Sequence, residues 1–351
     1  MTAASTARSG ATTRAWRAHL RRRTAIVCAG LGAVVVALFI TALLLGEAGL
    51  SPAEVLSAFT GRADRITAYV VLELRLPRAL AAAIVGACLG ASGAVFQSVV
   101  RNPLASPDIV GITSGAGFAG VVAVVVLHAS GIALSFIVIA GGIAAAIAVA
   151  MLTWQRGIHG LRLVLVGIGV AALATALTSY LLTRVDIREA GVAYTWLVGS
   201  LNGASWPIVS ITLILAVIAF VALAWRSRAL RALELGDTTA AALGFRVERD
   251  RVVVLLIATV LAAIAVGASG PIAFVALMAP QIARRLVGRT SLSLVAAAAT
   301  GAALVSAADL LAQYLVPGVS FPVGVVTGAI GAPYLAWLLA RSNRTRSGGT
   351  T

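Results

Sequence analysis

The 351-residue chain is 60% hydrophobic and only 11% charged, with a mean hydropathy of +1.01, a balance that excludes an ordinary soluble protein. Its formal net charge is +15, and all 27 basic residues are arginine. The arginines fall between apolar runs rather than on a basic face interleaved with aromatics. They therefore read as topology-setting charge, and nucleic acid is not an expected partner.

Residues 1–23 form a polar, arginine-rich segment ahead of the apolar run Thr24–Leu45. A basic start before an apolar core also describes a secretory signal. This run is long for a signal core, and no clear small-residue cleavage site follows it. It reads as a retained first span behind a disordered cytoplasmic tail. Ten membrane spans fit the chain: 24–46, 76–100, 109–128, 132–153, 162–183, 207–225, 251–268, 271–287, 293–312 and 323–340. The eighth carries Pro271 and Pro280 and is expected to be broken or partly re-entrant, which is tolerated only where protein covers the freed backbone. The domain plan is a tail 1–23, one transmembrane domain 24–341, and a second tail 342–351.

Ten spans with the N-terminus inside leave only Arg62, Arg65, Arg75, Arg78, Arg184 and Arg188 on the outer side. The other arginines, Arg156 and Arg289 among them, fall inside. This asymmetry places both termini in the cytoplasm of a multi-pass protein of the plasma or inner membrane. Cys28 and Cys88 lie within apolar runs and read as small buried residues. His19, His128 and His159 are scattered at or beyond span ends, so no metal site is expected.

The second span is introduced by Leu74-Arg75-Leu76-Pro77-Arg78 and left through Gln97-Ser98-Val99-Val100-Arg101-Asn102-Pro103, then Leu104-Ala105-Ser106-Pro107-Asp108 and a glycine-rich helix start to Gly117. Small residues line two other spans: Gly167 and Gly169 on the fifth, Gly324 and Gly328 on the tenth. They suit either packing within the chain or a seam with a second subunit. The inner loop 226–251 contains L-E-L-G-D-T-T-A-A-A-L-G over Leu233–Gly244. Its alanines favour a short helix that Asp237 or Thr238 caps and Gly244 ends. Asp309 is the one acidic residue placed within a span. It reads as a functional candidate, or as a near-interface group that is hydrated or paired with an arginine. The stretch Gly270–Leu277, the Pro280-Gln281-Ile282-Ala283-Arg284 run, Pro322–Thr327 and Gly331-Ala332-Pro333 complete the pattern.

These motifs, in this order over residues 50–340, resemble the FecCD-type permease family that imports iron–siderophore complexes, haem and vitamin B12 within ABC transporters. The resemblance implies an all-α type II importer fold of about ten transmembrane helices with an inverted pseudo-repeat. G-A-S-G at 90–93 and again at 267–270 is weak support for the repeat. Implied partners are a second permease subunit, identical or paralogous, two cytoplasmic ABC ATPase subunits, an extracytoplasmic solute-binding protein and the lipid bilayer. No cofactor is expected on this chain: ATP and magnesium belong to the ATPase, and the chain has neither a phosphate-binding loop nor a lysine. The implied cargo is a ferric siderophore, with haem or cobalamin as alternatives. An ion-coupled secondary transporter is the rival of another class, disfavoured by span interiors otherwise free of Asp and Glu. No constellation for a membrane-embedded enzyme is present.

The resemblance also assigns roles. Arg75 and Arg78 would dock the binding protein, although charge alone also suits snorkelling at the interface or pairing with Glu73. Leu233, Leu235, Gly236, Asp237, Ala240, Leu243 and Gly244 would form the segment that couples to the ATPase. Gln97, Asn102, Pro103 and the four glycines above are candidates for pathway, gate or packing. The family usually has His at Gln281, Gly at Ala276, an acidic residue at Phe321 and a basic one at Gln313.

Overall fold

The computed structural model describes residues 3–46, 49–153, 160–288, 293–316 and 318–347. Arg156, His159, Arg289 and the extreme ends of both tails lie outside the described residues. The chain is all-α: α1 Ala3–Leu44, α2 Pro52–Phe59, α3 Arg65–Tyr69, a π-helical turn Val70–Arg75, α4 Leu76–Val100, α5 Ile112–Val121 with a second π-helical turn Val122–Val126, α6 Gly131–Thr153, α7 Gly160–Leu182, α8 Ile187–Leu197, α9 Trp206–Trp225, α10 Ser227–Glu234, α11 Asp237–Ala242, α12 Val247–Ser269, α13 Val275–Val287, α14 Leu294–Tyr314 and α15 Val323–Ser347.

Among the described residues, seven helical stretches are long and apolar enough to cross a membrane. The shorter apolar helices Ile112–Val126 and Val323–Leu338, with α13, occupy the remaining expected spans. Three expectations are corrected. First, α1 runs unbroken from Ala3 through the basic segment read as a disordered tail; alanine and arginine both favour helix. Second, the second span does not begin at 76, because helix is continuous over Arg65–Val100. Pro77 falls at the expected entrance of that span. It lies inside the helix, where its ring excludes the bond to the Glu73 carbonyl. The π-helical turn just before it takes up that mismatch, with the Leu76 N–H donating to the Val71 carbonyl. Third, the connection between α7 and α9 carries a further helix, α8.

The span over 271–287 is helical only from Val275. Residues 270–274 are irregular, and Phe274 has a positive φ of 68°, which a bulky side chain rarely adopts. The thirteen residues of α13 rise about 20 Å, short of the ~30 Å hydrocarbon core. Within the break Ile272 is buried, Pro271 and Phe274 are partly buried and Ala273 is exposed, while α13 itself packs on α4 and α14.

Helix α4 is the axis of the bundle, packed by α14, α12 and α13. Lipid tails are as apolar as leucine, so close backbone contact must hold these helices together. At the α4–α14 seam Gly86 and Gly90 lie against the backbone of Gly301 and its neighbours. At the α4–α13 seam, Pro280 leaves the Ala276 carbonyl without its helical donor. That carbonyl lies so close to Gly93 that an added Cβ would sit 1.7 Å from the oxygen. The second G-A-S-G copy serves differently, ending α12 at Gly270 with φ 70°. Around the axis, α12 also packs α6, α9 and α5, while α7 packs α5 and α6, α15 packs α14, and α1 packs α14 and α4.

Candidate coupling site and outer mouth

At the end of the bundle where α4 stops, Arg101 takes the left-handed conformation, φ 53° and ψ 34°, and closes the helix. Its guanidinium then donates to the Leu233 carbonyl at 3.1 Å and pairs with Asp237. Asp237 also binds Arg251 of α12 at 2.8 Å, and Arg251 reaches Glu248 at 2.5 Å. One carboxylate therefore joins the start of α11 to the ends of α4 and α12. The hydrogen bond from Arg251, helped by the charge of both guanidiniums, outweighs partial burial and holds the Asp237 carboxyl below its ordinary range. The expected helix cap is not formed: no side chain caps α11, and Asp237 faces the arginines instead. Gly236 precedes it with φ 111° and ψ 154°, open to glycine and strained for other residues. Gly244, at φ 85°, ends the segment as expected. Leu233 and Ala240 are buried, whereas Leu235 and Leu243 are exposed on either side of α11.

Just above, the Ser98 hydroxyl of α4 donates to Glu234 of α10 at 2.8 Å and lies 3.2 Å from an Arg284 amino group of α13, which donates to it. Arg284 Nε is buried without a hydrogen-bond partner. Burial pushes the Glu234 carboxyl above its ordinary range, against the hydroxyl of Ser98 and the charges of Arg284 and Arg231. Gln97 donates to the Leu277 carbonyl at 3.0 Å and accepts from Gln281 at 2.6 Å, and Gln281 also donates to the Pro103 carbonyl at 3.2 Å. Asn102 folds the turn after α4 by accepting from the Leu104 N–H at 2.9 Å.

At the opposite end, Arg78 donates through Nε and an amino group to both oxygens of Asp309, at 3.1 and 2.8 Å. The Asp309 side chain is 4% exposed and that of Arg78 is 19% exposed. Gln313, one turn beyond, donates to the same carboxylate at 2.8 Å. Arg75 turns to the C-terminus of α1, donating to the carbonyls of Leu43 at 2.8 Å and Leu44 at 3.3 Å. A cation there complements the helix dipole and satisfies orphan carbonyls. Both arginines thus have partners within the chain, and Glu73 is not the partner of Arg75 in these bonds.

The family model of the FecCD transport family matches residues 34–341. The chain belongs to the FecCD transport family. This FecCD chain is 42% identical over 328 residues to the ferric enterobactin transport system permease protein FepG of Escherichia coli strain K12, covering 93% of this chain and 99% of that one. It is 41% identical to the achromobactin transport system permease protein CbrC of Dickeya dadantii, over 88% of this chain and 89% of the other. A solved structure of a metal-chelate type ABC transporter in an inward-facing conformation superposes with a TM-score of 0.78 at 29% identity, covering 90% of this chain and 99% of that one.

The FecCD chain divides its candidate small faces. Gly167 is buried against the backbone of Val110, and Gly324, partly buried, lies against the carbonyl of Val198, so both serve packing within the chain. Gly169 and Gly328 meet nothing within 4 Å and remain open to a neighbour. Several functional groups escaped the sequence reading. Arg101, Arg251, Ser98, Glu234 and Arg284 carry no local signal, because their partners come from distant segments. Helices α2 and α8 did carry one. Ser51-Pro52-Ala53-Glu54 forms a full capping box, and Asp186-Ile187-Arg188-Glu189 has the same spacing.

Proposed function

We propose that this FecCD chain is the membrane-spanning subunit of an ATP-driven importer that carries a ferric siderophore into the cytoplasm. In this reading it pairs with a second permease, identical or paralogous, across an intact-chelate pathway bordered by Gly169 and Gly328. Two ATPase chains bind on the side where α10 and α11 lie, and that side is the cytoplasm, together with both termini. Arg75 and Arg78 face a solute-binding protein on the other side.

The observation that carries the reading is the mounting of α11. Its amino end is clamped by Asp237 between Arg101 and Arg251, and Leu235 and Leu243 stand exposed beside it. A short helix fixed to the two most enclosed helices and presenting apolar side chains outside the bundle suits a partner that pushes on it. Relatives named for ferric enterobactin and achromobactin support a siderophore as cargo.

The test is reconstitution of the chain with its partner permease and ATPase in vesicles, with radioiron-labelled siderophore delivered by the cognate binding protein. Accumulation is expected to require ATP and to survive a protonophore. Uptake that persists without ATP and collapses with the protonophore would replace this reading with ion-coupled transport. Accumulation of haem or cobalamin, but not the ferric chelate, would reassign the cargo alone.

A further inference from the structure

A groove of about 1110 Å³ opens along the side of the bundle, with α1 and α9 as its walls and α4 and α14 contributing to its floor. On α1 it is lined from Leu20 to Val36, a run of about 24 Å at 1.5 Å per residue. That length exceeds one leaflet's share of a hydrocarbon core of about 30 Å. Phe220, Leu223, Leu230, Val35 and Ala298 make its interior apolar. At one end the chemistry changes. Arg231 and Glu234 of α10, with Ser227 at the start of that helix, line the mouth.

Arg231 and Glu234 are three residues apart on one helical face, where side chains stand about 5–6 Å from each other. Among the described residues they form no ion pair with each other; Glu234 is engaged instead by the Ser98 hydroxyl. The mouth thus offers a cation, a carboxylate and a hydroxyl side by side, above an apolar trough. The two charged residues that line the mouth are of opposite sign, so a purely anionic headgroup would meet Glu234 as well as Arg231.

We infer that this groove binds phosphatidylethanolamine, a phospholipid whose headgroup carries a phosphate and a primary ammonium joined by two carbons. The phosphate accepts hydrogen bonds from Arg231 and Ser227. The ammonium donates to Glu234. The acyl chains lie between α1 and α9 on Ala87 and Leu223. Placing this lipid in the cytoplasmic leaflet rests on the orientation proposed above; the headgroup preference does not. A bound lipid of this kind fills the gap beside α1 and ties it to α10, which leads directly into the coupling segment.

Native mass spectrometry of the purified chain, supplied in turn with phosphatidylethanolamine, phosphatidylcholine and phosphatidylglycerol, tests the inference without any transport step. Retention of phosphatidylethanolamine is expected to exceed that of the other two by about tenfold, the equivalent of one well-placed charge-assisted contact. Phosphatidylcholine, whose quaternary ammonium cannot donate a hydrogen bond, and phosphatidylglycerol, which lacks the cation, both keep the phosphate and so isolate the contact to Glu234. Glu234→Gln should abolish the preference, whereas Arg231→Gln should lower retention of all three lipids, which share the phosphate. Gly32→Leu should remove bound lipid of all three kinds with helix content intact, because nothing lies within 4 Å of a Cβ at Gly32 and the new side chain enters open groove. Equal retention of the three lipids, a preference for phosphatidylglycerol, a preference that survives Glu234→Gln, or a groove that retains no lipid because a second copy covers it would each overturn the inference.

Discussion

Replacing Arg78 with leucine should destabilise the protein more than replacing Asp309 with leucine, and replacing both should restore most of the loss. The Asp309 carboxylate is 4% exposed and takes three hydrogen bonds from Arg78 and one from Gln313. Removing the arginine strands a buried charge on a single amide donor, a change worth about 3–5 kcal/mol. Asp309→Leu strands Arg78 instead. That side chain is 19% exposed at the end of the bundle opposite α11 and can extend its head toward water, so the expected loss is smaller, about 1–2 kcal/mol. The double variant replaces an enclosed ion pair by apolar groups of similar volume and should fall within about 1 kcal/mol of the parent. Unfolding of the four proteins in one detergent, analysed as a double-mutant cycle, measures the coupling. A loss below about 1 kcal/mol for Arg78→Leu, or equal losses for the two single variants, would refute the argument that burial of Asp309 sets the scale. The same double variant then separates stability from docking. If it folds and the binding protein still attaches with parental affinity at low ionic strength, Arg78 only braces α4 against α14.

Three further outcomes concern α11 and its orientation. Gly236→Pro should insert normally yet uncouple uptake from ATP hydrolysis, because proline cannot reach φ 111° at the start of α11; parental uptake by this variant would remove α11 from the coupling path. The folded Asp237 carboxyl lies below its ordinary value, so its contribution to holding α11 is complete above the normal carboxylate range and is lost as the pH falls through the lowered folded value. A spin label at the exposed Leu243→Cys should therefore keep one mobility around neutral pH and gain mobility only below about pH 4, by a modest amount because Asp237 is half exposed; mobility independent of acid would contradict the clamp. In a Cys28→Ala, Cys88→Ala background, Leu56→Cys should react with an impermeant thiol reagent in intact cells and Leu243→Cys should not; the reverse pattern would invert the orientation.

The spans were legible because bilayer depth imposes long apolar runs, and these survive local irregularity. Even the break before α13 could be read from Pro271 and Pro280. The start of the second span was misjudged because a proline normally ends or opens a helix, whereas here a π-helical turn absorbs Pro77. The short amphipathic helices α2 and α8 were missed although their capping signals were present, since neither is long enough to span. Contacts set by tertiary packing were hidden for a different reason. Asp237 finds Arg101 across 136 residues, and Asp309 finds Arg78 across 231. A pairing of Asp309 with some arginine was one of two open readings; which arginine depended on the α4–α14 crossing. Likewise Gly167 and Gly169 look alike in sequence, and only the approach of Val110 makes one a packing position and leaves the other open.

Arg101 ends α4 with its backbone and grips Asp237 with its side chain. The same residue is therefore the last link of the central column and the first link to the exposed lever beneath it. A tug on α11 reaches the central helix through this arginine and α12 through Arg251, with no flexible spacer to dissipate it. Slack in this gear train would have to come from rotation of these side chains.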